Sequence, residues 1–432
     1  MFLQYLKLLR KRNFFLLWLG QIVSQFGDRL TQIALLGLVS KVSASPSGSA
    51  VSSSRLAFVM CLAIIPVFIL SPISGVYIDR WDKRKTMYIS DALRGIFVLL
   101  IPLAFLKFNS LISVYALVFL SFCVGRFFVP AKMAFIPKIT NKKDIFLANT
   151  LVSTTASIAA LIGIGFGAII FETYGTATAF TVDAVTFFIS ALAVFFIVVS
   201  NHKGTFYLRD IVDIGKNVVT TVKKPFIFEF KEGLKYIWTS GETKYAFKMF
   251  LFAFSYIGSL YVVFIRFIQE TLSSLVKDVG FTVVSLAAGI FFGSLLYGRI
   301  AHKLDIKKAI NASMFISSLY IIFFVIFLKA YPAPLHAIIL GFGLGLFASP
   351  VIVGINTLIH KESDGNLLGR IFSGLEFISH LGFLIAMLIC SLLADIFTPF
   401  TIIVSVGIIG AFISMVIIAK NDSHSRTQRT TA

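Results

Sequence analysis

Charge, cysteine and histidine are all scarce in this sequence. Only 14% of its 432 residues are Asp, Glu, Lys or Arg, whereas a soluble globular chain carries roughly a quarter. The three cysteines are an odd number and give no disulfide framework, and the six histidines lack the spacing of metal ligands. The composition therefore argues against a soluble globule, and we expect no metal site.

Motifs for nucleotide binding and covalent catalysis are also missing. The sequence contains no Walker loop, no dinucleotide-binding fingerprint and no nucleophile elbow. Without a nucleotide-binding domain, this chain cannot by itself be an ATP-driven pump. We expect no cofactor, and we expect that the protein is not an enzyme.

Apolar residues dominate instead, at 57% of the chain with 47 phenylalanines. A helix that crosses a bilayer needs about 20 mostly apolar residues, and that criterion predicts an all-α integral membrane protein with twelve spans. The predicted spans are 13–39, 55–78, 87–106, 111–136, 146–171, 176–200, 245–268, 279–301, 309–328, 335–359, 371–394 and 398–419.

Lys and Arg concentrate in alternate loops, and this bias predicts the orientation. They are dense before the first span and after the second, fourth, sixth, eighth and tenth, and they are sparse in the other loops. Positively charged loops stay in the cytoplasm, so both termini are predicted to be cytoplasmic. The formal net charge of +19 then faces anionic lipid heads, and we expect no nucleic-acid partner.

One charged stretch occurs twice. "GVYIDRWDKRK" (75–85) follows the second span and "GRIAHKLDIKK" (298–308) follows the eighth, with Asp82 matching Asp305. Such a duplication predicts two six-helix halves with a transport site at the repeat interface. The predicted organisation is a first half at 1–200, a cytoplasmic linker at 201–244, a second half at 245–420 and a disordered cytoplasmic tail at 421–432.

These stretches resemble the major facilitator superfamily. Its loop between helices 2 and 3 reads Gly-x-x-x-Asp-Arg/Lys-x-Gly-Arg/Lys-Arg/Lys, and Asp82 stands where the family usually has Gly. "NFFLLWLGQIVSQFGDRLTQIAL" (13–35), "VPAKMAFIPKI" (129–139) and "GRIFSGLEFISHLGF" (369–383) are similar to the macrolide-efflux and enterobactin-exporter branch. The resemblance implies the major facilitator fold, transport by alternating access, and a monomer in a bacterial inner membrane.

The resemblance also implies a gating role for the first copy of the repeated loop. Its candidate residues are Gly75, Asp79, Arg80, Arg84 and Lys85. The alternative is that the basic residues only anchor the topology. For the second copy, with Gly298, Asp305 and Lys307, a working gate and a vestige stay equally open.

Ionisable residues inside the spans are functional candidates, since lipid penalises charge. Asp28 lies near the middle of the first span and Arg126 well inside the fourth. An acid on helix 1 facing an arginine on helix 4 resembles the proton–substrate switch of several drug antiporters. A permanent structural salt bridge is the alternative, and Arg29 is a rival partner for Asp28.

Further candidates lie on other spans. Glu376 and His380 are four residues apart on one helix face, and they either extend a proton path or pair with the loop at 79–85. Asp183 and the pair Asp91 and Arg94 favour a structural interpretation. Three glycines, Gly163, Gly165 and Gly167, would let the fifth span pack closely on a neighbour.

The sequence therefore predicts a proton-coupled exporter of a bulky amphiphile, such as a drug or a siderophore. Its partners would be that small substrate, protons and membrane lipid. An importer or lysophospholipid carrier on the same fold is the first alternative, and a non-transporting membrane scaffold is the second. The segment "PFIFEFKEGLKYIW" (225–238) is predicted to be an amphipathic helix on the membrane surface.

Overall fold

The computed structural model describes residues 2–43, 52–141, 144–198, 241–274, 276–300, 305–362 and 368–430, and within these ranges it contains helices and no strand. The helices are α1 (Phe2–Leu9), α2 (Arg12–Ser43), α3 (Ser53–Arg80), α4 (Lys83–Phe108), α5 (Leu111–Ile139), α6 (Ile145–Phe195), α7 (Gly241–Leu272), α8 (Lys277–Ile300), α9 (Ile306–Ala330), α10 (Pro334–Glu362), α11 (Leu368–Ile396) and α12 (Pro399–Thr430). The linker predicted at 201–244 lies almost wholly outside these ranges, as does the amphipathic helix predicted at 225–238.

Ten of the described helices are long and apolar enough to cross a membrane. Large apolar side chains on these helices lie uncovered at the surface, such as Leu106 and Ile112, each 77% exposed. Such exposure would be unfavourable in water and is what hydrocarbon solvates. The chain is therefore an integral, multi-pass membrane protein.

The number of candidate spans among the described helices is ten, and it is lower than the predicted twelve for two reasons. The candidate span within α6 runs over 49 residues, which corresponds to about 70 Å of helix and more than twice the hydrocarbon thickness. Gly175 interrupts it with φ 84° and ψ 176°, a conformation that glycine adopts without steric cost, so α6 is two helices joined at a kink. The second reason is α2, which is too polar to be among the ten.

The chain divides into two compact units. Unit 1 comprises Met1–Val42 and Val59–Phe226, and unit 2 comprises Ser43–Phe58 and Ile227–Ala432. The first turns of α3 thus group with unit 2, whereas the rest of that helix belongs to unit 1. The last helix runs to Thr430, so helical backbone extends into the segment predicted as a disordered tail.

Helix packing repeats between the units. In unit 1, α4 packs on α5 and α6, and in unit 2 the equivalent helix α9 packs on α10 and α12. Close glycine contacts also recur. A Cβ on Gly163 would come within 2.6 Å of the Phe26 carbonyl oxygen of α2, and one on Gly258 would come within 2.3 Å of the Phe383 carbonyl oxygen of α11. Helices with small residues at the contact approach until their backbones touch.

The two repeated loops end in the same helix cap. The Asp82 carboxylate accepts a hydrogen bond of 3.0 Å from the Lys85 backbone N–H at the start of α4. Asp305 does the same for α9, where it accepts from the N–H groups of Lys307 at 2.8 Å and Lys308 at 3.2 Å. Aspartate is a preferred N-cap because it satisfies N–H groups that have no partner within the helix.

Candidate functional site

Six charged side chains lie in the middle of unit 1, and we call them the unit 1 charge cluster. They come from four helices: α2 contributes one, α4 two, α5 two and α6 one. The members are Asp28, Asp91, Arg94, Arg126, Lys132 and Asp183. Their three acids and three bases balance formally, but the contacts between them are unequal.

Asp28 pairs with Arg94. The Arg94 Nη2 atom donates to Asp28 Oδ1, and the two side chains are only 19% and 8% exposed. The structure therefore differs from the predicted pairing, which placed Arg126 against Asp28. Arg29, the rival partner, instead donates to Gln32 one turn further along its own helix at 2.7 Å.

Arg94 is held from three sides. Its Nη1 atom lies 3.7 Å from Asp91 Oδ1, one turn back on α4. The guanidinium carbon lies 4.1 Å from the centre of the Phe187 ring, a cation–π contact with α6. Asp91 is fully buried and accepts a 2.5 Å hydrogen bond from Ser190. The pair Asp91 and Arg94, predicted to be structural, thus belongs to the same cluster as Asp28.

Arg126 lies beside this ion pair without joining it. Within the described part of the chain it makes no hydrogen bond and no ion pair, and its buried Nε atom has no partner. It does interact electrostatically with both Arg94 and Asp28. The neighbouring Gly125 makes room for Arg94, since a Cβ there would come within 3.2 Å of the Arg94 Nε atom.

Asp183, like Asp91, has no exposed surface. Its Oδ1 atom accepts from the Thr186 hydroxyl at 3.1 Å, and it presses against α2 so closely that a Cβ on Gly27 would come within 2.2 Å of it. Its Oδ2 atom has no hydrogen-bond partner among the described residues. Sequence reasoning treated Asp183 as structural, although its position next to Asp28 makes it part of the site.

Lys132 is the third base of the cluster and is 6% exposed. Its ammonium group lies 5.9 Å from the Phe128 ring centre and interacts electrostatically with Asp91 and Asp28. Lys132 is not among the candidates predicted from the sequence. It could have been predicted, because it lies inside a predicted span, where lipid makes a charged lysine as unfavourable as a charged aspartate.

The first copy of the repeated loop is described in part. Gly75, Asp79 and Arg80 lie on the helical backbone of α3, and their side chains fall outside the described residues. The Arg84 guanidinium donates to the Ile197 carbonyl oxygen at 2.6 Å and so ties the start of α4 to the end of α6. Lys85 is exposed. The gating role of this loop stays a prediction.

The second copy shows cap and ring contacts. A Cβ on Gly298 would meet nothing within 4 Å, so this glycine is not required by packing among the described residues. Asp305 caps α9, and the Lys307 ammonium lies 5.6 Å from the Tyr245 ring centre. The Tyr245 hydroxyl in turn bonds Asn311 at 2.7 Å.

The predicted candidates on α11 and α6 occupy different surroundings. The His380 ring lies 5.7 Å from the Phe254 ring of α7, while the Glu376 side chain falls outside the described residues. Gly163 and Gly167 both face α2, where a Cβ on Gly167 would come within 3.1 Å of Leu30. Gly165 is partly exposed on the same helix.

Unit 2 holds a second charged group, the Asp395 cluster, which consists of Arg266, Glu270, Asp395 and the backbone and side chains of 52–54. Asp395 accepts from the N–H groups of Ser53 at 2.7 Å and Ser54 at 3.1 Å, at the start of α3. It also accepts from Arg266 at 2.8 Å, and Arg266 bonds Glu270 at 2.7 Å. Sequence reasoning missed this cluster, although Arg266 lies inside a predicted span.

Comparison with known proteins places this fold in a family. The family model described as "Major Facilitator Superfamily" matches residues 17–328 and 246–432. The chain belongs to the major facilitator superfamily. The members of this family are transporters and not enzymes, so the protein is a membrane transporter and the expectation that it is not an enzyme is confirmed.

The alignments with similar proteins cover most of the chain. The uncharacterized MFS-type transporter YkuC of Bacillus subtilis (strain 168) is 25% identical over 85% of this chain and 82% of its own length. The multi-drug resistance efflux pump PmrA of Streptococcus pneumoniae serotype 4 is 23% identical over 83% of this chain and 85% of its own. The POT family transporter PepTSo has a similar fold, with a TM-score of 0.69 over 96% of this chain and 99% of its own, at 13% identity.

Proposed function

We propose that this transporter exports a bulky amphiphile, such as a drug or a siderophore, in exchange for protons. The observation that carries this proposal is the ion pair between Asp28 and Arg94 in the middle of the spans of unit 1. An acid at this depth is unfavourable in lipid unless it has a function or a partner, and Asp28 retains 19% exposure through which a proton can reach it.

Proton binding at Asp28 would change the balance of the whole cluster. Protonation removes the one charge that pairs directly with Arg94, which then keeps only Asp91, at 3.7 Å. Arg126 already lies near Arg94 without an acid of its own in the described chain, so the repulsion between the two arginines would no longer be offset by the Asp28 carboxylate. We expect substrate and proton to compete through this rearrangement, which is the coupling that antiport requires.

The direction of transport is proposed from similarity. PmrA, which is named as an efflux pump, aligns with this chain over more than four fifths of both proteins. An importer or a lysophospholipid carrier on the same fold remains the alternative reading of the cluster. The polarity of the coupled proton flux separates these two functions.

The repeated loop supplies the proposed gate. Asp79 would pair with loop arginines in one state of the transport cycle and release them in the other, while Arg84 holds α4 and α6 together. Asp305 caps α9, and we expect its loss to slow transport much less than the loss of Asp79. Equal losses of transport rate in Asp79→Asn and Asp305→Asn would show that both copies act as gates. Glu376 and His380 are proposed as later steps of the proton path.

The proposed setting is the inner membrane of a bacterium, with both termini in the cytoplasm and the protein acting as a monomer. Proteoliposomes with an imposed pH gradient test the function, with macrolides and catecholate siderophores as probes. Export predicts uphill movement of a probe against the direction of proton flow, and its loss in Asp28→Asn. Probe movement in the same direction as the protons would contradict export, and movement independent of the gradient would contradict coupling.

A further inference from the structure

A small cavity opens between two acids of the unit 1 charge cluster. It is lined by Asp28, Thr31, Arg94, Ser121 and Asp183, and apolar side chains of α4, α5 and α6 complete the wall. The cavity has a volume of about 10 Å³, and a volume of this order holds one water molecule.

Three buried polar atoms on residues of this wall have no hydrogen-bond partner in the described chain. They are the Thr31 Oγ1, Arg94 Nε and Asp183 Oδ2 atoms, on residues that are 6%, 7% and 0% exposed. The Thr31 hydroxyl lies within hydrogen-bonding range of the Asp183 carboxyl, but the two groups do not meet the geometry of a direct hydrogen bond. Buried polar groups in proteins nearly always find a partner, and a water needs two to four of them.

Among the described residues, Asp183 also has no base with which it forms an ion pair. Arg94 is engaged by Asp28 and Asp91, and neither Arg126 nor Lys132 forms an ion pair with Asp183. An ionised carboxylate at this depth without a cation is strongly unfavourable, whereas a protonated carboxyl can donate from Oδ2. The Asp183 Oδ1 atom lies against Gly27, which places this carboxyl beside the backbone that carries Asp28.

We propose that Asp183 holds a proton and shares it with Asp28 through a water molecule in this cavity. In the transfer, the O–H bond at Asp183 Oδ2 breaks as its proton passes to the water. One proton of that water passes at the same time to the Asp28 carboxylate. Asp183 becomes the anion, Asp28 becomes neutral, and Arg94 is released from Asp28. Thr31 orients the water, and Asp183 is thus a second proton-binding position in the proposed antiporter.

Infrared spectroscopy of the purified protein tests the shared proton without any transport assay. The wild type should show the carbonyl band of a protonated carboxyl, with the shift that follows exchange into heavy water. The band should disappear in Asp183→Asn and change frequency in Thr31→Val and Asp28→Asn, which alter its water partner. Ser190→Ala is the control and should leave the band unchanged, because Ser190 bonds Asp91 and not Asp183.

Transport by the same variants tests the coupling role, which rests on the proposed function. Asp183→Asn should keep substrate counterflow and lose accumulation driven by a pH gradient, and Thr31→Val should slow that accumulation about fivefold, as expected for one lost hydrogen bond. A band that survives in Asp183→Asn would overturn the proposal, as would an unchanged frequency in Thr31→Val. Full coupling in Asp183→Asn would overturn the relay. If the wild type itself shows no proton coupling, the proposed function fails, and the infrared bands still decide whether the proton is shared.

Discussion

The third helix of each half shows how the two units differ. Counted from the capping aspartates Asp82 and Asp305, the ninth and twelfth residues are Asp91 and Arg94 in α4 but Met314 and Ser317 in α9. All four are buried. The same helix, with the same cap and the same packing partners, therefore carries an ion pair in unit 1 and neutral side chains in unit 2.

This difference extends to the whole interior. Of the charged residues that are buried in the described chain, four belong to unit 1 and only Arg266 belongs to unit 2. Arg266 lies near the end of α7 and binds Asp395 near the end of α11, not the middle of a span. A duplicated fold needs its caps and glycine contacts in both copies, but it needs a titratable site only once. We infer that the buried ion pair at which protons couple to transport lies in unit 1 and that the Asp395 cluster of unit 2 fixes the start of α3.

Loss of Arg94 should have the largest effect. Arg94→Gln leaves Asp28 without its ion pair and Asp91 without the nearby cation, and breaking a buried pair costs about 3–5 kcal/mol of the free energy of unfolding in soluble proteins. Its counterpart Ser317→Ala should cost less than about 1 kcal/mol, because the Ser317 hydroxyl has no hydrogen bond in the described chain. Thermal unfolding in detergent measures the loss of stability in the two variants. Equal losses would contradict the proposed difference between unit 1 and unit 2.

An intermediate effect is expected in the Asp395 cluster. Asp395→Asn removes the charge that Arg266 binds and one of the two acceptor oxygens, which should lower stability by about 1–3 kcal/mol. Glu270→Gln is the matched control, since its partly exposed pair with Arg266 is worth about 0–1 kcal/mol. Both variants should keep their ratio of protons to substrate in proteoliposomes. A changed ratio in Asp395→Asn would show that unit 2 takes part in coupling.

The smallest effects should come from the two helix caps. Asp82→Ala and Asp305→Ala each remove an N-cap acceptor, which typically costs about 1 kcal/mol. The two losses should be equal, because this part of the repeat is structural in both units. Chemical denaturation of each purified variant measures them. A clearly larger loss in one would mean that its aspartate does more than cap a helix.

The fold could be predicted from the sequence because the features that indicate it are short stretches of the chain. Runs of apolar residues predicted the spans, and the repeated loop predicted the duplication that reappears in the paired caps and in the packing of α4 and α9. The kink at Gly175 also falls between two predicted spans. Twelve spans stay a prediction, since α2 is too polar to be among the ten candidate spans of the described helices.

The pairing within the site was not accessible, because it depends on how each helix is rotated about its axis. Asp28 was predicted from the sequence as an acid inside a span, but three bases lie near it and the sequence does not say which one touches it. Gly125 favours Arg94 as the partner of Asp28. It has no side chain, and so it leaves space for Arg94 beside Arg126, the next residue of α5. The Asp395 cluster was missed because its partners are more than 120 residues apart along the chain.

The central claim is that the ion pair of Asp28 and Arg94 couples protons to transport, and the double variant Asp28→Asn with Arg94→Gln tests it most directly. The neutral pair removes the unpaired charge that either single change leaves behind, so stability should recover in part. Counterflow and pH-driven accumulation are measured side by side in proteoliposomes for the wild type and the double variant. We predict that the double variant exchanges substrate and no longer accumulates it against a gradient. Undiminished uphill transport by the double variant would contradict the account, because the ion pair would then be only a structural bridge.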